Sequence, residues 1–126
     1  MNGKEKYLID TVILIDHLNG VKKATNWLAR NGKKNSVISV ITRAEILVGV
    51  QPEERFVINE LLNSFTTLTI DLKTADIAAE MRKKYKLKLP DAFQAALANM
   101  NNLLLVTRNT KDFKKEMNFV KIPYAL

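Results

Sequence analysis

At 126 residues, with 47% apolar and 26% charged residues, the chain suits one globular domain with a real core. It has no cysteine and one histidine, which excludes disulfides, thiolate metal sites and any site of two or three imidazoles within one chain. Twenty Lys and Arg against thirteen Asp and Glu give a formal charge of +7, which favours polyanionic partners such as nucleic acid. No run approaches the roughly 20 apolar residues of a membrane helix. Lys4 and Lys6 precede only a short apolar stretch, interrupted by Asp10 and Asp16, so the N-terminus does not read as a signal peptide. A cytoplasmic protein with no membrane contact is the default expectation.

Residues 1–5 are polar and expected to fray. Tyr7-Leu8-Ile9 reads as a short buried strand that stops at the carboxylate of Asp10. A helix from about Thr11 to Leu18 follows, stopped by Asn19-Gly20. A second helix runs from about Val21 to Arg30 on an apolar face of Val21, Ala24, Trp27 and Leu28; Asn31-Gly32 ends it, and Lys33-Lys34-Asn35 reads as a solvated turn. Trp27 is expected in the core and His17 on a helix surface.

Ser36-Val37-Ile38-Ser39-Val40 is short and β-branched, a second strand. A third helix takes about Ile41 to Val50 and is broken by Gln51-Pro52. Pro52-Glu53-Glu54 opens a fourth helix, with Ile58, Leu61, Leu62 and Phe65 on one face. Thr66–Ile70 is a third strand. Asp71 or Thr74 caps a fifth helix, which runs into the basic segment Lys83-Lys84-Tyr85-Lys86-Leu87-Lys88. Pro90-Asp91 opens a sixth helix, ended by Asn101-Asn102. Leu103–Val106 is apolar throughout, as central parallel strands are. A loop from Thr107 to Phe113 and a weak edge strand at Phe119–Ile122 complete the chain. Strands alternating with helices predict an α/β fold, a mainly parallel sheet with helices on both faces.

Four acids stand out by position. Asp10 ends the first strand, Glu45 lies one turn into the helix after the second, Asp91 is in the first turn of the sixth helix, and Asp112 follows the fourth strand. Strand ends and adjoining helix turns share one edge of a doubly wound sheet, where ligands bind. Crowded carboxylates repel unless a cation neutralises them. Oxygen ligands without His or Cys suit Mg²⁺ or Mn²⁺. Such an ion acidifies water and stabilises charge growing on a phosphodiester, and a basic surface attracts the nucleic-acid backbone. Each acid also has a plain structural reading: Asp10 as a helix cap, Asp91 as a complement to the helix dipole, Glu45 as a solvated helix residue beside Arg43, Asp112 as a loop residue. Asp16 reads as a helix-surface acid and Asp71 as a turn or cap.

The stretches Leu8-Ile9-Asp10-Thr11-Val12-Ile13-Leu14-Ile15-Asp16, Ser39-Val40-Ile41-Thr42-Arg43-Ala44-Glu45-Ile46-Leu47 with Gly49, Leu89-Pro90-Asp91-Ala92-Phe93-Gln94-Ala95-Ala96-Leu97-Ala98, and Leu105-Val106-Thr107-Arg108-Asn109-Thr110-Lys111-Asp112-Phe113 occur in order across nearly the whole chain. Together they resemble the PIN-domain ribonucleases, particularly the VapC-type toxins of toxin–antitoxin pairs. The resemblance implies one PIN-like domain over residues 1–126, a three-layer α/β/α sandwich, and a Mg²⁺- or Mn²⁺-dependent endoribonuclease acting on RNA. It places Asp10, Glu45 and Asp91 on the family's acidic metal-site positions and Thr11 beside the first acid. Thr107 and Asn109 match polar active-site positions, and Asp112 or Asn109 completes the site. It also implies a homodimer and an antitoxin that occupies the active-site groove. Arg43, Lys86, Lys88 and Arg108 lie near the acids in sequence and are candidate contacts to RNA phosphate.

Two other enzymes fit less well. A phosphatase of the haloacid dehalogenase type with Asp10 as nucleophile wants a second Asp two residues on, where this chain has Val12. A dinucleotide-binding enzyme wants a glycine cluster in the first turn, which here reads Asp10-Thr11-Val12. A non-catalytic RNA- or protein-binding module would use the positive charge equally well, and is the alternative of another class.

Overall fold

The structure is a computed structural model that describes residues 6–114 and 116–126. The frayed segment expected at residues 1–5 lies outside these. Tyr7–Ile9 forms β1, Ser36–Ser39 β2, Thr66–Leu68 β3, Leu104–Val106 β4 and Val120–Lys121 β5. They make one sheet in the order β3-β2-β1-β4-β5, and every neighbouring pair is parallel. Leu8 stands opposite Val37 on one side and Leu105 on the other. The chain moves outward from β1 through β2 to β3, then returns to the opposite side of β1 at β4. The order therefore reverses between β1 and β4, and the carboxyl ends of these two strands flank the switch point where such sheets bind ligands.

Six helices cover the sheet: Thr11–Leu18 (α1), Lys22–Asn35 (α2), Val40–Val48 (α3), Arg55–Asn63 (α4), Leu72–Tyr85 (α5) and Leu89–Met100 (α6). Successive strand residues point to opposite faces, so each apolar strand supplies two cores. Leu8, Val37 and Leu105 pack with Ala78, Ala96 and Leu97 of α5 and α6. Ile9, Ile38 and Val106 pack with side chains of α1 to α4, among them Ile13, Trp27, Ile46 and Leu62. The result is the expected three-layer sandwich, with a wholly parallel sheet. Each fully buried Leu, Ile or Val contributes about 1.5–3 kcal/mol. Trp27 is buried as expected, edge-on to Tyr7 at 5.2 Å between ring centroids.

Several boundaries differ from the sequence reading for local reasons. The chain does break at Gly32 (φ 24°, ψ −155°), but Lys33-Lys34-Asn35 is helical rather than a solvated turn. β2 stops at Ser39 because its Oγ accepts from the Thr42 backbone N–H at 3.1 Å and caps α3. Pro52–Glu54 forms a separate 3₁₀ turn ahead of α4, with Gln51 and Glu54 capping each other. β3 ends at Leu68, short of Ile70. Asp71 caps α5 as expected, its Oδ1 accepting from Thr74 N at 2.9 Å. Among the described residues, no helix is long and apolar enough to cross a membrane.

Candidate active site

β1 delivers Asp10 to the carboxyl edge of the sheet, where its backbone N–H donates to the Val106 carbonyl at 2.9 Å. Asp10 opens α1, yet its side chain makes no capping bond to that helix, so the cap reading fails. The carboxylate instead turns inward and is 6% exposed. Oδ1 accepts from Gln94 Nε2 at 3.2 Å and Oδ2 from Thr107 Oγ1 at 2.7 Å. Burial is the main force pushing its pKa up, with a smaller push from the charge of Glu45. The two side-chain donors act against this by favouring the ionised form.

Gln94 links Asp10 to the next acid. Ser39 donates to Gln94 Oε1 at 2.6 Å, which fixes the amide so that Nε2 faces both Asp10 and Thr42 Oγ1, the latter at 2.9 Å. Thr11 Oγ1 lies 2.6 Å from Glu45 Oε1 and 2.9 Å from Thr42 Oγ1. Thr11 has one proton, and the carboxylate takes it; Thr42 therefore donates to Thr11. A single direction of donation runs from Ser39 through Gln94, Thr42 and Thr11 to Glu45. Ser39, Thr42 and Gln94 are fully or almost fully buried, so each would be costly without its partners. None of the three was expected in the site. The one sequence signal was a lone Gln among the alanines of α6.

Pro90 and Asp91 fall in the first turn of α6, as expected. The half-buried Asp91 carboxyl is pushed up to about 6, first by burial and then by the charges of Asp10, Asp112 and Glu45, with Lys88 opposing. Asp91 therefore lies within electrostatic reach of the other three acids. Asp112 is held by Asn109, whose Nδ2 donates to Asp112 Oδ2 at 2.9 Å. The Asn109 backbone N–H donates to Thr107 Oγ1 at 3.0 Å. Among the described residues, no group of three or more acidic or histidine side chains is placed to hold a metal ion. His17 is half-buried on α1, its Nδ1 2.8 Å from Thr25 Oγ1.

Asp16 corrects the sequence reading. It is 4% exposed, not a surface acid. Arg108 Nε and Nη2 donate to its two oxygens at 2.5 and 2.8 Å, and Tyr124 OH donates at 2.8 Å. The Arg108 guanidinium holds the Asp16 carboxyl below its ordinary pKa, and burial with this bond pushes the Tyr124 hydroxyl up. Arg43 donates to Asn63 Oδ1 at 2.9 Å, whereas Lys86 and Lys88 are exposed.

The profile described as the PIN domain matches residues 7–116. "Ribonuclease VapC10" of Mycobacterium tuberculosis is 33% identical over 125 residues, covering 94% of this chain and 93% of that protein. A "Toxin-antitoxin complex from Klebsiella pneumoniae" contains a chain that superposes with a TM-score of 0.89 at 36% identity, over 96% of this chain and 100% of that one. FitAcB from Neisseria gonorrhoeae gives a TM-score of 0.77 at 25% identity, over 95% and 99%. With a family match over residues 7–116 and a relative one third identical along nearly its whole length, the chain belongs to the PIN-domain family and, within it, to the VapC proteins.

Proposed function

We propose that this protein is a divalent-metal-dependent endoribonuclease and the toxin of a toxin–antitoxin pair. The observation that carries this reading is the half-buried Asp91 facing Asp10, Glu45 and Asp112 at the switch point of a parallel sheet, inside a chain of charge +7. The names of the relatives above support the same reaction and the same partnership.

The donor set fits Mg²⁺ or Mn²⁺. It offers carboxylate, amide and hydroxyl oxygens with no imidazole or thiolate among them, and burial together with the charges of the neighbouring acids pushes Asp91 up to about 6. When bound, such an ion supplies Lewis-acid charge to the phosphodiester and lowers the pKa of water. Asp10, Glu45 and Asp91 would hold it, with Asp112 or Asn109 completing the site. Gln94 and Thr107 aim the Asp10 carboxylate and favour its ionised form against the effect of burial, and Thr11 holds Glu45 by a hydrogen bond. Lys86 and Lys88, exposed beside Asp91, gather the RNA backbone toward the acids.

An antitoxin would find an apolar seat next to the site. A groove of about 340 Å³ runs from Glu45 past Ile15, Leu18, Ile46 and Ile58. Val48, Phe56 and Val57 beyond it are largely exposed. A homodimer, a single domain over residues 1–126 and a cytoplasmic location complete the reading.

Cleavage of a mixed RNA pool tests it. Discrete products in Mn²⁺ or Mg²⁺ that vanish in EDTA and in Asp91→Asn support the enzyme and its site. RNA binding without cleavage in any divalent metal supports the non-catalytic module instead.

A further inference from the structure

The mechanism above uses the loop after β4 but leaves its anchor unexplained. Thr107, Asn109 and Asp112 hold one another through Thr107 Oγ1 and the Asn109 side chain. The loop reaches the catalytic edge through one hydrogen bond, from Thr107 to Asp10. The Thr107 backbone N–H also donates to the Lys121 carbonyl of β5 at 3.1 Å, and Arg108, which sits between Thr107 and Asn109, turns the opposite way, onto Asp16. Asp10 and Asp16 lie at the two ends of α1, so this helix grips consecutive loop residues at both ends. The Arg108 fork is side-on and bidentate, a geometry that fixes the orientation as well as the position of the guanidinium. Tyr124 closes the third bond to Asp16, and Lys23 Nζ holds the Ala125 carbonyl at 2.6 Å, so the segment after β5 is tied to α1 and α2.

We propose that Asp16, acting through Arg108 and Tyr124, is a positioning residue for catalysis: it fixes the Thr107–Asp112 loop against Asp10 and makes the C-terminal segment part of the active-site scaffold. The inference rests on the ribonuclease reading above. It also removes Arg108 from the candidate RNA contacts, because its Nε and Nη2 are already engaged by a buried carboxylate.

Asp16→Asn, Arg108→Gln, the double variant and Tyr124→Phe test this in the full chain. RNA cleavage is followed at saturating Mn²⁺ well below each Tm. RNA binding is followed by fluorescence anisotropy in EDTA, and loop order by hydrogen exchange at residues 107–113. Asp16→Asn and Arg108→Gln are each expected to lower kcat by roughly 10- to 100-fold with KM unchanged, as misplaced catalytic groups do. The double variant should be no worse than either single variant, since both break one tie. Exchange at 107–113 should rise while α6 stays protected, and Tyr124→Phe should show a smaller form of the same effect. If Arg108→Gln raises KM and weakens RNA binding while Asp16→Asn does neither, Arg108 is an RNA contact and the proposal falls. It falls equally if kcat and exchange are unchanged in Asp16→Asn. If the wild type itself fails to cleave RNA, the ribonuclease reading is lost, and the exchange data alone decide whether Asp16 holds the loop.

Discussion

Asp91→Asn should make the metal-free protein more stable while abolishing cleavage. In the folded chain the Asp91 carboxyl sits at about 6, against 3.8 for an unperturbed one. At about 1.4 kcal/mol for each tenfold change in proton affinity, the difference is about 3 kcal/mol. Solvent reaching a half-buried group screens it, which leaves about 1.5 kcal/mol. The sign follows from which state holds the proton. Below about pH 4 both folded and unfolded chains carry it, and the penalty is absent. Between about pH 4 and pH 6 only the folded chain keeps it, so wild-type stability falls as pH rises; above that range the penalty is constant. Asn has no charge to lose. In EDTA at pH 8 the variant should therefore melt roughly 5 °C above the wild type, and the gain should shrink toward zero near pH 4. Added Mn²⁺ should stabilise the wild type by mass action and the variant much less. Thermal unfolding across this pH range, with and without metal, is the assay. A gain that is missing at pH 8, or equally large at pH 4, would refute the claim that burial and its acidic neighbours strain the ionised Asp91.

Gln94→Leu should cost about 1–3 kcal/mol in urea unfolding, since Ser39 and Thr42 lose a buried partner, and should lower kcat by loosening Asp10. Thr107→Val keeps the shape but deletes the donor to Asp10 Oδ2; a stability loss of about 1 kcal/mol with a clear fall in cleavage rate is expected, and an unchanged rate would show that Asp10 needs no such orientation. Asp71→Ala removes the α5 cap and should lower Tm without touching cleavage. Lys88→Gln should weaken RNA binding and flatten its salt dependence, read by anisotropy titrations at several salt concentrations.

The sequence made the scaffold readable because the signals that build it are local. Apolar triplets such as Tyr7-Leu8-Ile9 declare a strand without reference to the rest of the chain, and Asp10, Asp91 and Asp112 are marked by the ends of elements. What escaped is what depends on distant partners. Asp16 looks like any polar helix residue until Arg108, 92 positions away, closes on it. Gln94 takes its meaning from Asp10, 84 positions back, and from Ser39, 55 back. The Asp10 side chain fits a helix cap by local rules, and only Gln94 and Thr107 draw it elsewhere. The helical turn after Gly32 was hidden for the opposite reason: Asn31-Gly32 is a strong local stop signal, and the chain obeys it for one residue before coiling again.

The pairing of β1 with β4 has a consequence for how the protein is made. Tyr7, Leu8 and Ile9 wait for Leu104, Leu105 and Val106, and Asp10 waits for Thr107. Synthesis runs from the N-terminus, and contacts so far apart in sequence form late. A growing chain that already holds Asp10, Glu45 and Asp91 still lacks the central strand neighbour that brings them into line. The acidic edge is therefore completed only once β4 and the loop after it have been made.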